Sequence, residues 1–478
     1  IALCSAATAA AAPATIRSSI DSTTMTMGNK TMIRVAVVKD KSQAGHLIAP
    51  QDSIVNEVEV AGEISHSVAD LGNGRVQETY VIPVQAFLPG PYVLPGMKYV
   101  LEGDTLVGDE MPLKVLDVDT RELEKKGFSG RRACIVTDTN VAPLYAEQIA
   151  SLFDPKPLIY AIPAGEENKT LDQIRALLRF LIENHFDRSS YLAALGGGVV
   201  GDMTGFAASI YMRGIDFIQI PTTLLAQADS SIGGKTGVDF DGFKNMVGAF
   251  KMPGLVYANV DFLKSLDGRQ FASGFAEIMK SALIRDDEFY VWLINHMLEI
   301  RERDSETLSE MLYRSNEIKK DVVERDPFEK GDRMLLNFGH TIGHAIEKYL
   351  NFEMTHGECV ALGCVAASYI SYKRNYLSWE EYYEIRDMFV PFGLPISLES
   401  IDADSVLAIT RSDKKAVNGH IRFVLLHTIG DAYVDHTVTD EEILAAIREL
   451  DFSAKTGEGS RGETIHTNVS KAAEEKGE

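Results

Sequence analysis

Cations, cysteines, tryptophans and long apolar runs are all scarce in this chain of 478 residues, and the shortages remove whole classes of function. Lys and Arg number 47 against 69 Asp and Glu, a net charge of -22, and such a balance argues against a nucleic-acid surface. The four cysteines, at 4, 134, 359 and 364, show no CxxC spacing and give no disulfide framework. Cys359 and Cys364 lie five apart on an expected helix and read as reduced core residues. No apolar stretch is long enough to span a bilayer. No internal repeat is visible. What is present, 45% hydrophobic residues, suffices for two or three domain cores.

The most informative stretch is RMLLNFGHTIGHAIE from Arg333, followed by THGE at 355–358. On one helix, Arg333, Asn337, His340 and His344 would follow steps of four, three and four and share a stripe. Leu335, Phe338, Ile342, Ala345 and Ile346 would occupy the other faces, as in a helix surrounded by core. Neutral imidazoles suit zinc, although two neighbouring histidines are equally compatible with a structural role. The best third ligand is Glu277 in SGFAEIMKSALI, where Lys280 lies three residues on along the same face. Two histidines and one carboxylate leave a coordination position open, as catalytic sites require.

A second constellation is YLAALGGGVVGDMTGFAA. Tyr191–Leu195 reads as a buried strand, the glycines as a tight turn, and Val200 onward as a helix whose first amides can hold a pyrophosphate. Gly196, Gly198 and Gly201 fit GxGxxG in its strand-before, helix-after context. ACIVTDTN at Ala133 reads as a second parallel strand ending in Asp138 and Asn140, residues suited to a ribose. A turn after a core strand is the bland alternative. In QADSSIGGKTGVDFDGFKNMVGAF, residues 227–250, Lys235, Lys244 and Asn245 sit in glycine-interrupted chain where amides and ammonium groups can converge on a phosphate. In so acidic a chain, a cation cluster beside glycines points to a local anion pocket.

These segments, with GEENK, YMRG, PTTLLAQADSSIGGKTG, IKKDVV, EKGDR and SDKK, occur in one order from about 131 to 452, and in that order the chain resembles the 3-dehydroquinate synthase family. The resemblance implies an α/β nucleotide-binding domain over 119–265 and a mostly helical metal and substrate domain over 266–452. It implies zinc, with cobalt as a substitute, on Glu277, His340 and His356, with His344 close to the metal. It implies NAD on Asp138, Asn140, Glu166, Lys169, Gly197, Gly198, Val199, Asp202, Thr222 and Thr223. Lys235, Lys280, Lys319, Arg333 and His344 are the implied catalytic set, and Arg213, Asp229, Lys244, Asn245, Asn337 and Lys414 the implied substrate contacts, with Lys415 the alternative to Lys414. The implied activity is a phosphate-eliminating carbon–oxygen lyase of the shikimate pathway, acting on a sugar phosphate as a cytoplasmic homodimer. Another sugar-phosphate cyclase and a metal-dependent polyol dehydrogenase are the neighbouring alternatives. An envelope binding module carrying an inactive enzyme-like part is the distant one.

The chain departs from the family pattern at Ser265-Leu266-Asp267, at Asp332 beside Arg333, and at Asp326-Pro327-Phe328. The departure before Asp138 is larger, because about 130 residues precede the family match and the family's own first hairpin has no counterpart there. Residues 1–30 read as an Ala-rich leader, a signal remnant or a disordered segment that leaves export or plastid targeting open. Residues 31–118 alternate as strands separated by turns such as GNG and PGP, predicting a small β-sandwich with a faint likeness to BatD-type envelope modules. Residues 453–478 are polar and Gly-containing, as a disordered tail would be.

Overall fold

The computed structural model describes residues 13–453 apart from 27–29, 52, 56–57, 87–89, 117–120, 328, 330 and 413–421. Lys414 and Lys415, the alanine run before residue 13 and the expected tail after its first residue, Ser453, therefore lie outside the described residues. The chain divides into two compact units, Ile1–Ser129 and Gly130–Glu478.

The first unit is built from strands. Thr15–Ile20, Lys30–Asp40, Arg75–Ala86, Val58–Val60 and Ser53–Val55 follow one another across a sheet, and Ser65–Gly72 also pairs with Arg75–Ala86. In Lys30–Asp40 the alternation buries Ile33, Val35 and Val37 on one face. Two three-stranded sheets, one centred on Lys98–Leu101 and one on Met111–Leu116, add Tyr99, Leu101, Leu113 and Val115 to the same core. Strands already begin at Thr15 and Thr24, inside the stretch expected as a leader. Thr15–Ile20 pairs in antiparallel register with Ile33–Val38, and this tertiary pairing orders a segment whose neighbouring alanines mask its alternation.

The second unit opens with four parallel strands, β1 (Ala133–Asp138), β2 (Leu158–Ile162), β3 (Tyr191–Gly196) and β4 (Asp216–Pro221), in the order β2-β1-β3-β4. Residues 133–136 and 191–196 are buried throughout, as a parallel sheet covered on both faces requires. Helix α1 (Leu171–Glu183) leads into β3, and α2 (Gly198–Ile210) runs back from it. A hairpin of β5 (Lys235–Phe240) and β6 (Phe243–Phe250) follows.

Beyond it the chain is mostly helical, with α3 (Gly268–Arg285), α4 (Ser305–Arg325), α5 (His340–Tyr349) and α6 (His356–Lys373) around the site. Asp267, one of the departures noted above, caps α3 by accepting from the Gln270 amide at 3.0 Å. Every residue of α3 from Phe271 to Ile284 is buried, so Glu277 and Lys280 are carried into the interior. Thr355 and Glu358 form a capping box that starts α6 at His356.

One expectation is corrected here. Arg333, Asn337, His340 and His344 do not share a helix, because Asp332–Asn337 is a 3-10 turn and the chain breaks at Phe338 and Gly339 before α5 begins. Gly339 is left-handed, at φ 77°, and a Cβ there would meet the Val360 carbonyl and the Cys364 amide of α6 at 2.9 and 2.8 Å. Close approach of two backbones, which only glycine allows, separates the polar stripe into a turn and a helix.

Candidate active site

α3, α5 and α6 bring four predicted groups together. One ligand nitrogen from each of His340, His344 and His356 lies within 4.8 Å of the others. Glu277 Oε1 stands 3.2 Å from His356 Nε2 and 3.5 Å from His340 Nε2, while its Oε2 accepts from Lys280. The two separations from Glu277 Oε1 are close to the roughly 3.3 Å expected between ligand atoms on a tetrahedral zinc with bonds of about 2.05 Å. The His340 Nδ1 faces the Phe338 carbonyl at 3.0 Å, which turns Nε2 toward Glu277.

Burial disfavours a charged Glu277, yet Lys280 and His356 outweigh it and hold the carboxyl well below its usual range. Burial likewise opposes charge on His356, but the hydrogen bond to Glu277 and the negative charges of Glu277 and Glu347 raise it to about 9. Lys280 is raised against its burial by Glu277 and Asp229.

Around this centre lies the predicted cation set. A π-helical turn, Ala226–Ser230, presents Asp229, whose Oδ1 and carbonyl oxygen each accept from Lys319 Nζ at 2.5 Å. Burial and the neighbouring Lys280 charge push Lys319 down despite Asp229. Arg333 is buried and donates to the Pro327 and Gly233 carbonyls at 2.6 and 3.0 Å. Lys235 pairs with Glu329 at 2.5 Å, and Glu329 also accepts from Asn337 at 2.8 Å. Lys244 pairs with Glu347 at 2.7 Å, and Glu347 Oε2 lies 3.9 Å from His356 Nδ1. Arg213 stands apart: it is exposed beyond the end of α2, toward the N-terminal end of β4.

The predicted nucleotide-side residues collect at the opposite, C-terminal edge of the sheet. Asp138 ends β1, Gly197 and Gly198 follow β3, and Thr222 and Thr223 follow β4. This is where open parallel sheets bind ligands. Gly197 precedes α2 without a side-chain cap, so Val199 and its neighbours leave first-turn amides available to an anion. Asp138 Oδ1 accepts from the Asn140 and Val141 amides at 2.8 and 2.9 Å, fixing the turn after β1. Lys169 is buried and links the two sides, donating to Asp202 at 2.7 Å and Asn245 at 2.6 Å, with Glu166 at 3.8 Å. Burial outweighs Lys169 at Asp202 and raises that carboxyl, to which Glu166 and Asp229 add negative charge.

Two carboxylates of this network were absent from the sequence expectations. Glu347 lies three residues beyond His344, a spacing that could have placed it on the histidine face. Glu329, at φ 58° in a loop, carries only its closeness to Arg333 as a signal.

Models of two family regions match the chain, 3-dehydroquinate synthase N-terminal over residues 159–273 and 3-dehydroquinate synthase C-terminal over 274–416. A relative described as 3-dehydroquinate synthase from Acetivibrio thermocellus is 44% identical over 316 residues, covering 66% of this chain and 88% of the relative. Among solved structures, 2-epi-5-epi-valiolone synthase from Streptomyces hygroscopicus subsp. jinggangensis, with NAD+ and Zn2+ bound, aligns with a TM-score of 0.64 at 30% identity, covering 67% of this chain and 91% of that one. A 2-deoxy-scyllo-inosose synthase complexed with carbaglucose-6-phosphate, NAD+ and Co2+ aligns at 0.61 and 26% identity, covering 67% and 90%.

Proposed function

This chain belongs to the 3-dehydroquinate synthase family, and from that premise we propose that it converts 3-deoxy-D-arabino-heptulosonate 7-phosphate into 3-dehydroquinate and phosphate, using NAD and a divalent metal. The observation that carries the reading is the convergence of His340, His344 and His356, whose ligand nitrogens lie within 4.8 Å of one another, and of Glu277 beside His340 and His356, with a surrounding cation set. NAD+ and Zn2+ or Co2+ in the two solved cyclases support the cofactor assignment. When bound, the metal supplies a Lewis acid that acidifies a substrate hydroxyl, and NAD accepts and returns a hydride.

The chain's residues then do the positioning. Lys235, Lys244 and Arg333 hold the phosphate by charge, and the amides after Gly197 take the pyrophosphate of the nucleotide. Holding the phosphate near the proton lost on elimination lets the substrate's own phosphate serve as base. Lys280, Lys319 and Asn337 orient the carboxylate and hydroxyls so that the opened chain closes with one stereochemistry. Glu329 neutralises Lys235 and Glu347 neutralises Lys244, so anion binding there exchanges one negative partner for another. The enzyme so described is a carbon–oxygen lyase, and we assign it to the cytoplasm as a homodimer.

Phosphate release from the heptulosonate phosphate, with NAD below the enzyme concentration and with and without a chelator, tests the reading. Chelator-sensitive release over many turnovers without net NADH is the expected result. Accumulating NADH would instead identify a polyol dehydrogenase, a reading that the cation set argues against. Among the described residues no helix is long and apolar enough to cross a membrane.

A further inference from the structure

Glu347 stands out among the groups that the proposed chemistry leaves without a role. It is 4% exposed, yet it carries no assignment as a ligand or a substrate contact. Its two oxygens divide between two functional residues: Oε1 accepts from Lys244 Nζ at 2.7 Å, and Oε2 lies 3.9 Å from His356 Nδ1. The opposite nitrogen of the same imidazole, Nε2, faces Glu277 at 3.2 Å. His356 is therefore bracketed by two carboxylates, one at each ring nitrogen. At His340 the equivalent bracket is the Phe338 carbonyl at 3.0 Å from Nδ1.

We propose that Glu347 is a positioning residue that holds His356 with Nε2 toward the metal and, through Lys244, ties the β5–β6 hairpin to the metal centre. This rests on the metal reading of Glu277, His340 and His356 given above. The physical basis is general. A carboxylate at the distal nitrogen of a metal-bound imidazole fixes its tautomer and ring orientation and raises its basicity as a ligand. The 3.9 Å separation is longer than a hydrogen bond, so the contact is one of charge, and a small turn of the ring brings Nδ1–H into donating range. Lys244 keeps the carboxylate anionic and holds it against α6 from a strand 103 residues earlier in the chain.

The test is zinc affinity of the full chain, measured by competition with a chromophoric chelator, for the parent and Glu347→Gln. The amide keeps the size of the side chain and removes its charge. A 10- to 100-fold weaker affinity, together with a changed visible absorption spectrum of the Co2+-loaded protein, is expected. Affinity within twofold of the parent and an unchanged cobalt spectrum would overturn the proposal while leaving the metal reading intact. A parent that binds no zinc would overturn both. Should Glu347→Gln fail to fold, 15N-histidine spectra of the zinc-loaded parent decide the matter. Zinc on Nε2 of His356, with Nδ1–H hydrogen-bonded, is the expected state, and coordination through Nδ1 would overturn the proposal.

Discussion

Replacing Gly363 by alanine sets helix propensity against packing at the contact between α5 and α6, the helices that carry the proposed metal ligands His340 and His356. In the interior of α6, alanine is intrinsically favoured over glycine by about 1 kcal/mol. The neighbouring helix opposes that gain. A Cβ at position 363 would lie 1.7 Å from the Gly339 carbonyl oxygen and 2.9 Å from the Gly343 amide nitrogen. Both are backbone atoms, so no side-chain rotation relieves the overlap, and α5 must move away from α6 by more than about 1 Å. Overpacking of this kind costs typically 1–3 kcal/mol, at the upper end where backbone has to shift. The balance is a net loss of about 2 kcal/mol. Because His340 follows Gly339 directly, the shift is transmitted to the imidazole, whereas His356 moves with α6. Urea denaturation should show a lower midpoint at unchanged slope, and chelator competition should show zinc affinity reduced at least tenfold, on the order of 1.4 kcal/mol. A variant as stable as the parent with the parent's zinc affinity would refute the claim that this backbone contact sets the site.

Other consequences are simpler. His340→Ala should abolish both zinc retention and turnover, and full activity in a metal-free preparation would contradict the ligand assignment. Lys235→Ala should raise KM for the phosphate-bearing substrate while leaving the NAD requirement nearly unchanged, and equal loss toward both would remove Lys235 from the phosphate site. Lys169→Met leaves Asp202 without its principal counter-charge and should destabilise by about 3–5 kcal/mol, with most of the loss recovered by adding Asp202→Asn. A loss below about 1 kcal/mol would mean that the pair is effectively solvated. Away from the site, hydrogen bonding to Arg374 lowers the pKa of Glu442, with a smaller contribution from the Thr439 cap. A lowered folded-state value means stability that is fully present above the ordinary glutamate value and lost as pH falls through the lower one. Unfolding followed from pH 6 down to 3 should therefore show a shallower decline in Glu442→Gln, and parallel curves would dismiss the contribution.

The parts of the site that were legible in the chain are those in which a single element carries the chemistry. The glycines after β3, the pair Glu277 and Lys280 on α3, and His340 and His344 on α5 are each fixed by short spacing, because helical and strand periods place side chains on faces without help from the rest of the molecule. The break at Gly339 was not legible in that way. Nothing in NFGHTIGH distinguishes a glycine inside a helix from one that ends it, and the cause lies in α6, whose backbone at Val360–Cys364 approaches too closely for a Cβ. The strands at Thr15 and Thr24 were hidden for the same reason, since pairing partners elsewhere in the chain order them. Partnerships across long separations were hidden most thoroughly: Lys235 with Glu329, Lys244 with Glu347 and Lys169 with Asn245 join residues 94, 103 and 76 positions apart. Reading the cations as an open anion pocket therefore missed their carboxylate partners, Glu329 on Lys235 and Glu347 on Lys244. The acidity of the chain, taken above as a contrast that isolates the cation cluster, also supplies its internal counter-charges. On the proposed reading a substrate phosphate would compete with Glu329 and Glu347, and selectivity would then rest on the difference between two anions at the same lysines rather than on the lysines alone.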